Sequence, residues 1–162
     1  MNISFKVEKN LFNYRIAGLV VREDGKFLIQ TATAVDFYTL PGGRIEMLEN
    51  SREALRRELM EELEIDTEIG EMFLFLENFF DYDGLEFHEL NQFYTTKILG
   101  GKKIQNLEDF EDAEGKGITS SWVTKEEIKD MDLRPYYLKD IIINSDMKNI
   151  PFNHIIGDEH RK

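Results

Sequence analysis

This chain predicts an α/β (α+β) domain, a mixed sheet with helices packed on it, and three observations carry that expectation. Residues 12–22, 69–80 and 85–98 are rich in β-branched, aromatic and aliphatic side chains, the composition of strands. Residues 51–63 instead repeat leucine at 55, 59 and 63, the period of a helix that buries one stripe. A second helical stretch, 136–144, follows the last strand signal. Strands around one mid-chain helix, with a terminal helix after them, suit a layered domain.

Taken in order, Phe5 and Val7 alternate with polar residues, as on an edge strand. Residues 12–22 form a strand, Asp24-Gly25 turns it back as a hairpin, and 26–30 returns as its partner. Residues 37–40 make a short strand into the Pro41-Gly42-Gly43 turn. The helix starts at Asn50 or Ser51, either of which can cap its free N–H groups; Ser51 has Ala54 three residues on, which is not a capping box. No glycine marks the helix end, and Asp66-Thr67 is expected to turn the chain. Residues 69–80 and 85–98 pair through the hairpin turn Asp81-Tyr82-Asp83-Gly84. Residues 100–103 are a loop, and 108–117, dense in acids and glycine, is expected to be mobile. Residues 118–123 are a strand holding the sole tryptophan, Trp122. Thr124 caps a short helix with Glu126 and Glu127 early in it, Leu133-Arg134-Pro135 ends that helix, and Tyr136 to about Asn144 is the last one. The domain is therefore drawn as 1–145, with 146–162 a polar tail.

At 162 residues the chain suits one domain with a real core. The absence of cysteine excludes a disulfide framework, a thiol nucleophile and a thiolate metal site. No apolar run approaches the ~18 residues of a membrane span, and the N-terminal residues lack the pattern of a signal peptide. A cytoplasmic location with no membrane partner is the expectation. A net charge of −12 argues against long nucleic acid, which wants a basic face. It does not argue against a nucleotide, which brings its own divalent cation. An acidic surface also serves plain solubility.

Residues 43–65 read GRIEMLENSREALRRELMEELEI. Glu58, Glu61 and Glu62 lie at i, i+3 and i+4, on one side of the helix and about 100 degrees wide. Like charges so placed repel by a few tenths of a kcal/mol per pair. A hard divalent cation offsets that repulsion, because Mg²⁺ takes carboxylate oxygens and fills its remaining positions with water and substrate phosphate.

This segment resembles the signature of the Nudix hydrolases. Gly43, Glu49, Arg57, Glu58, Leu59, Glu61, Glu62 and Ile65 stand at the matching spacings, and Glu64 replaces the second glycine. A chance match this good is on the order of one in 10^8 at ordinary residue usage. Leu40-Pro41-Gly42-Gly43 and Tyr38 resemble the usual lead-in, and a looser resemblance runs from about residue 12 to 145. It implies the Nudix fold, a mixed β-sheet sandwiched between helices, and Mg²⁺-dependent hydrolysis of a diphosphate bond, with Mn²⁺ as the alternative metal. The substrate class is a nucleoside di- or triphosphate or another diphosphate-containing small molecule, in an enzyme of house-cleaning type. A dinucleoside polyphosphate or ADP-ribose-type hydrolase, or a non-catalytic nucleotide-sensing module, are the alternatives. Many relatives are dimers, so a homodimer is a further expectation.

The resemblance assigns metal binding to Glu58, Glu62, Glu61 and the Gly43 carbonyl, and catalysis to Glu61 and Glu58, with Glu46 as a further ligand candidate. Glu49 and Arg57 support the site, Arg57 as a rigid fork that clamps a carboxylate. Alternative general bases are Glu111, Glu108, Glu114 and Glu89. Arg44 and Arg15 are candidates for phosphate oxygens, and Tyr38 and Tyr82, with Phe37 and Phe80, for stacking a base. His88 is expected to be a structural strand residue facing away from Phe87 and Glu89. Among downstream marks, Asp81 stands where a proline would suggest ADP-ribose, and Tyr82 stands where a tyrosine would suggest dinucleoside polyphosphates. Glu64 is expected to change the geometry of the helix end while leaving the metal chemistry intact.

Overall fold

In the computed structural model, which describes residues 1–100 and 102–159, two sheets share a pair of cores with two helices. The strands are β1 (Ser4–Val7), β2 (Asn10–Val20), β3 (Phe27–Ala32), β4 (Gly42–Arg44), β5 (Asp66–Tyr82), β6 (Leu85–Gly100), β7 (Asp109–Glu111), β8 (Ile118–Val123) and β9 (Asn153–Asp158). The helices are α1 (Ser51–Leu63) and α2 (Tyr137–Asn144), with 3-10 turns at Lys102–Asn106 and Glu127–Asp130. The larger sheet runs β1-β2-β6-β5-β9 with β4 paired to β2, and the smaller runs β3-β8-β7. Pairings β2–β6 and β5–β9 are parallel and the others antiparallel, so the sheet is mixed.

Alternation along β2 decides the layering. Ile16 and Val20 point to one face, where Leu55, Leu59 and Leu63 of α1 pack with Leu28, Ile45 and Trp122. Ala17 and Leu19 point to the other, where Leu138 and Ile142 of α2 pack with Phe73, Leu76 and Phe93. The leucine stripe read from the sequence is therefore the buried stripe of α1, and the sheet lies between helices as expected. Among the described residues, no helix is long and apolar enough to cross a membrane.

Several local expectations are corrected. Residues 12–22 and 26–30 do not form a two-stranded hairpin. After the single bridge Val21–Phe27 the strands diverge into different sheets, because β2 pairs with β6 and β3 pairs with β8. Residues 37–40 contribute only isolated bridges, Gln30–Thr39 and Tyr38–Leu133. The acidic stretch 108–117 is tied down: it contains β7, and Asp112 accepts from the N–H groups of Lys116 (2.9 Å) and Ile118 (3.1 Å). The segment after Thr124 is a 3-10 turn, and Thr124 and Glu127 exchange side-chain-to-backbone bonds at 2.7 and 3.2 Å. No element was expected after residue 145, yet β9 adds a parallel edge to β5. Its partner is distant in sequence, so no local pattern announces it. Gly101, in the expected loop 100–103, and residues 160–162 lie outside the described residues.

Both ends of α1 hold a surprise. Asn50, not Ser51, is the cap, and it forms a full capping box: its side chain accepts from the N–H groups of Arg52 (3.1 Å) and Glu53 (3.0 Å), and its own N–H donates to Glu53 (3.2 Å). At the other end Glu64 adopts φ 53, ψ 36 and donates its N–H to the Met60 carbonyl at 3.0 Å. The expected change in helix-end geometry does not occur. Glu64 takes the left-handed turn that glycine takes freely, at about 1–2 kcal/mol of backbone strain. A Glu64→Gly variant is predicted to gain roughly 0.5–1 kcal/mol after the entropy of glycine is counted, a Tm rise of about 1–4 °C by calorimetry. A fall in Tm would show that Glu64 makes a compensating interaction.

Candidate active site

The site is assembled where α1 meets β4. Arg57 sits at its centre: Nε and Nη2 hold the two oxygens of Glu49 at 2.8 and 2.9 Å, a bidentate clamp across the loop. Nη1 donates to Glu58 at 2.9 Å and to Glu61 at 3.3 Å, and Nη2 also reaches the Arg44 carbonyl at 3.1 Å. One side chain thus joins the loop, the helix and β4. The Glu49 carboxyl is held below its usual range, first by the Arg57 hydrogen bonds.

Gly43 makes room for this. A Cβ at Gly43 would overlap the carboxyl group of Glu58, so only glycine lets the backbone of β4 approach the acid. Glu58 and Glu62 are 9% and 6% exposed, rare values for carboxylates. Burial pushes both above the ordinary carboxylate range. For Glu58, Arg57 opposes the shift and the charge of Glu61 adds to it. Glu62 is pushed to about 7 by burial, with the Glu58 charge adding to it against the hydrogen bond from Gln30. Gln30 lies in phase with Leu28 on β3 and so faces α1; its Nε2 donates to Glu62 at 3.3 Å and to Ser120 of β8 at 3.2 Å.

Two neighbouring desolvated carboxylates rich in acceptor oxygens suit a hard cation. Among the described residues, however, no three acidic or histidine side chains already converge as a metal cage. Glu61 is the exposed third acid, turned to Arg57. The stretch containing β7 docks here too, as the Ala113 N–H donates to the Glu62 carbonyl at 2.8 Å. Its Lys116 pairs with Glu114, and both groups act electrostatically on Glu62.

On the opposite face of the sheet lies a cavity of about 320 Å³. Arg15 of β2 and Arg44 of β4 are register partners and both line it. Successive strand residues face opposite ways, so Gly43 meets Glu58 while Arg44 borders the cavity. Phe37, Phe80, Tyr82 and Phe87 supply aromatic wall, with Phe80 and Phe87 stacked at 4.8 Å. Arg134 lies over the Phe37 ring at 4.6 Å.

The structure brings together Gly43, Glu49, Arg57, Glu58, Glu61 and Glu62, and places Arg15, Arg44, Tyr82 and Glu89 on the cavity. Tyr38 does not line that cavity; it packs against the α2-side core. Glu46 donates its backbone N–H to Glu49 at 3.1 Å. Of the alternative bases, Glu114 is the one whose charge reaches Glu62, Glu108 instead acts on Arg22, and Glu111 pairs with Thr119 across β7 and β8. His88 meets Phe12 edge-on and lies tilted against Phe79, on the face away from Glu89. Sequence reasoning missed Gln30, Asn13, Asn78, Asn91, Arg134 and Lys116. The asparagines carry a faint signal, as polar residues in phase with apolar strand positions; the others carry none.

Fold and site together are those of an α+β hydrolase. The chain belongs to the Nudix family of hydrolases, which act on phosphoric anhydride bonds: the NUDIX domain model matches residues 12–140. Among solved structures it resembles a NUDIX hydrolase from Nitrosomonas europaea (19% identity, TM-score 0.65, 91% of this chain and 79% of that one). It also resembles the mutator MutT protein from Bacillus halodurans (18%, 0.63, 90% and 89%) and an ADP-ribose pyrophosphatase from Streptococcus suis (14%, 0.59, 89% and 98%). Likenesses at these identities show the fold. No curated protein sequence gives a significant match.

Burial of Glu62 has a measurable consequence. With its folded pKa raised to about 7, Glu62 is neutral in both folded and unfolded states at low pH and imposes no penalty there. Its penalty grows as pH rises from the unfolded value through about 7 and is complete above that. In chelator, Glu62→Gln is predicted to be more stable than the parent by roughly 2–3 kcal/mol at pH 8 and equal to it at pH 4.5. Denaturant melts at both pH values check this, and equal stability at pH 8 would contradict it.

Proposed function

We propose that this protein is a Mg²⁺-dependent pyrophosphohydrolase of nucleoside di- or triphosphate-type substrates. The observation that carries the reading is the pair Glu58 and Glu62: two buried carboxylates one helical turn apart, of which Glu62 has, among the described residues, only the neutral amide of Gln30 as a side-chain hydrogen-bond partner. Such a pair is costly without a cation and well matched to a hard one.

In this reading Glu58, Glu62 and the Gly43 carbonyl hold the metal, with Glu61 beside them. When bound, Mg²⁺ supplies neutralisation of the diphosphate and a water of lowered pKa. Glu61, the exposed acid, accepts the proton of the attacking water. Arg57 fixes Glu58 and the loop so that the acids keep their spacing. Arg44 and Arg15 bind phosphate oxygens where the cavity opens, and the aromatic wall holds the nucleoside. The net charge of −12 leaves long nucleic acid an unsuitable substrate, while a small metal-bound polyphosphate meets these arginines directly.

A hydrolysis screen in Mg²⁺ over nucleoside triphosphates, ADP-ribose, nucleotide sugars and dinucleoside polyphosphates, read by mass spectrometry, tests the reading. The expected products are a mononucleotide and pyrophosphate from a nucleoside triphosphate, and a mononucleotide and phosphate from a nucleoside diphosphate. Glu58→Gln and Glu62→Gln are each expected to lower kcat by at least about a hundredfold while the fold persists, since each removes a ligand of the charge-bearing group. Full activity in either variant would sink the assignment. Tight nucleotide binding without turnover in Mg²⁺ or Mn²⁺ would favour a sensing module.

A further inference from the structure

The floor of the cavity differs in character from its walls. Glu89 of β6 lies there 8% exposed, and among the described residues no lysine or arginine forms an ion pair with it. Among the described residues its two oxygens accept only long bonds from neutral amides, Asn13 Nδ2 at 3.4 Å and Asn91 Nδ2 at 3.3 Å. Asn13 is in turn aimed by Arg44, whose Nε donates to its side-chain oxygen at 2.8 Å. Asn78 and Asn91, 3% and 5% exposed, also line the cavity, and among the described residues each has a side-chain oxygen with no hydrogen-bond partner, that of Asn78 lying against Gly157 of β9. A carboxylate offers about four acceptor positions, so most of the capacity of Glu89 is unused. Buried acceptors in this state are a standing cost unless a ligand brings donors to them.

We infer that this floor reads the base of the substrate and selects guanine, with Glu89 as the specificity-determining residue. The inference rests on the substrate being a nucleotide. Guanine alone among the common bases places two adjacent donors on one edge, N1–H and N2–H₂, which match the two oxygens of one carboxylate. Adenine and cytosine set an amino donor beside a ring-nitrogen acceptor, which a carboxylate repels. Uracil has one N–H between two carbonyls. Hypoxanthine keeps N1–H but lacks the amino group. The stacked pair Phe80 and Phe87 supplies the flat apolar surface that a purine needs. Arg44 ties the floor to the phosphate side, since the residue that aims Asn13 stands in β4 next to Gly43, where Glu58 approaches.

The test is binding of the α,β-methylene analogues of guanosine, inosine and adenosine triphosphate in Mg²⁺, by calorimetry, on the parent protein and Glu89→Gln. The analogues are not cleaved at the α–β bond, so the readout does not depend on turnover. The guanosine analogue is expected to bind the parent on the order of ten- to a hundredfold more tightly than the inosine analogue, and Glu89→Gln to abolish that ratio. Equal binding of guanosine and inosine analogues by the parent overturns the inference whether or not the variant folds. So does a ratio that survives in Glu89→Gln, or a failure of all three analogues to bind. A guanosine preference in binding together with no hydrolysis of guanosine triphosphate would leave this inference standing and defeat the proposed activity.

Discussion

The loop, the helix and β4 are held in one arrangement by the guanidinium of Arg57. Its five N–H donors are shared among Glu49, Glu58, Glu61 and the Arg44 carbonyl, so the loop, the helix and β4 cannot shift independently. A lysine in its place would offer a single point charge and lose the fork. The clamp also explains how the chain tolerates its own repulsion. Three acids on one helical face destabilise α1, and Arg57 offsets part of that at Glu58 and Glu61. Glu62 is left outside the clamp, with Gln30 beside it.

Two adjacent residues of β4 divide the labour. Gly43, lacking a side chain, lets Glu58 press against the backbone. Arg44 turns to the other face and borders the aromatic cavity. The acidic helix and the cavity therefore lie on opposite sides of the sheet and meet at a three-residue strand. In the proposed reading a substrate with an apolar, donor-bearing end and a polyanionic end would present its negative part to the arginines and the acids.

The site was more legible in the sequence than the topology. Leu55, Leu59 and Leu63 announced both the helix and its buried side, and the motif's Glu49, Arg57, Glu58 and Glu61 are joined by the hydrogen bonds of Arg57. Local rules failed where partners are far apart in the chain. Asp24-Gly25 does turn the chain, but β2 finds β6, each residue pairing with one 76 positions on, and β3 finds β8. β9 is polar and short, and only its place beside β5 makes it a strand. Glu64 shows the opposite failure: the residue type argued for a changed turn, and tertiary context imposed the left-handed one regardless. The capping box is written in the spacing of Asn50 and Glu53, one residue ahead of the Ser51-Ala54 pair that lacks it. Gln30 and Lys116 reach the acids from other elements, so no motif includes them.

The central claim is that Glu58 and Glu62 form a buried carboxylate pair that a divalent cation completes. Calorimetric titration of Mg²⁺ at pH 5.5 and 8, in two buffers of different ionisation heat, tests it most directly. The account predicts tighter binding at pH 8, with proton release at the lower pH as the protonated fraction of Glu62 is displaced. Binding that is absent, or equally tight at both pH values with no proton released, would contradict it.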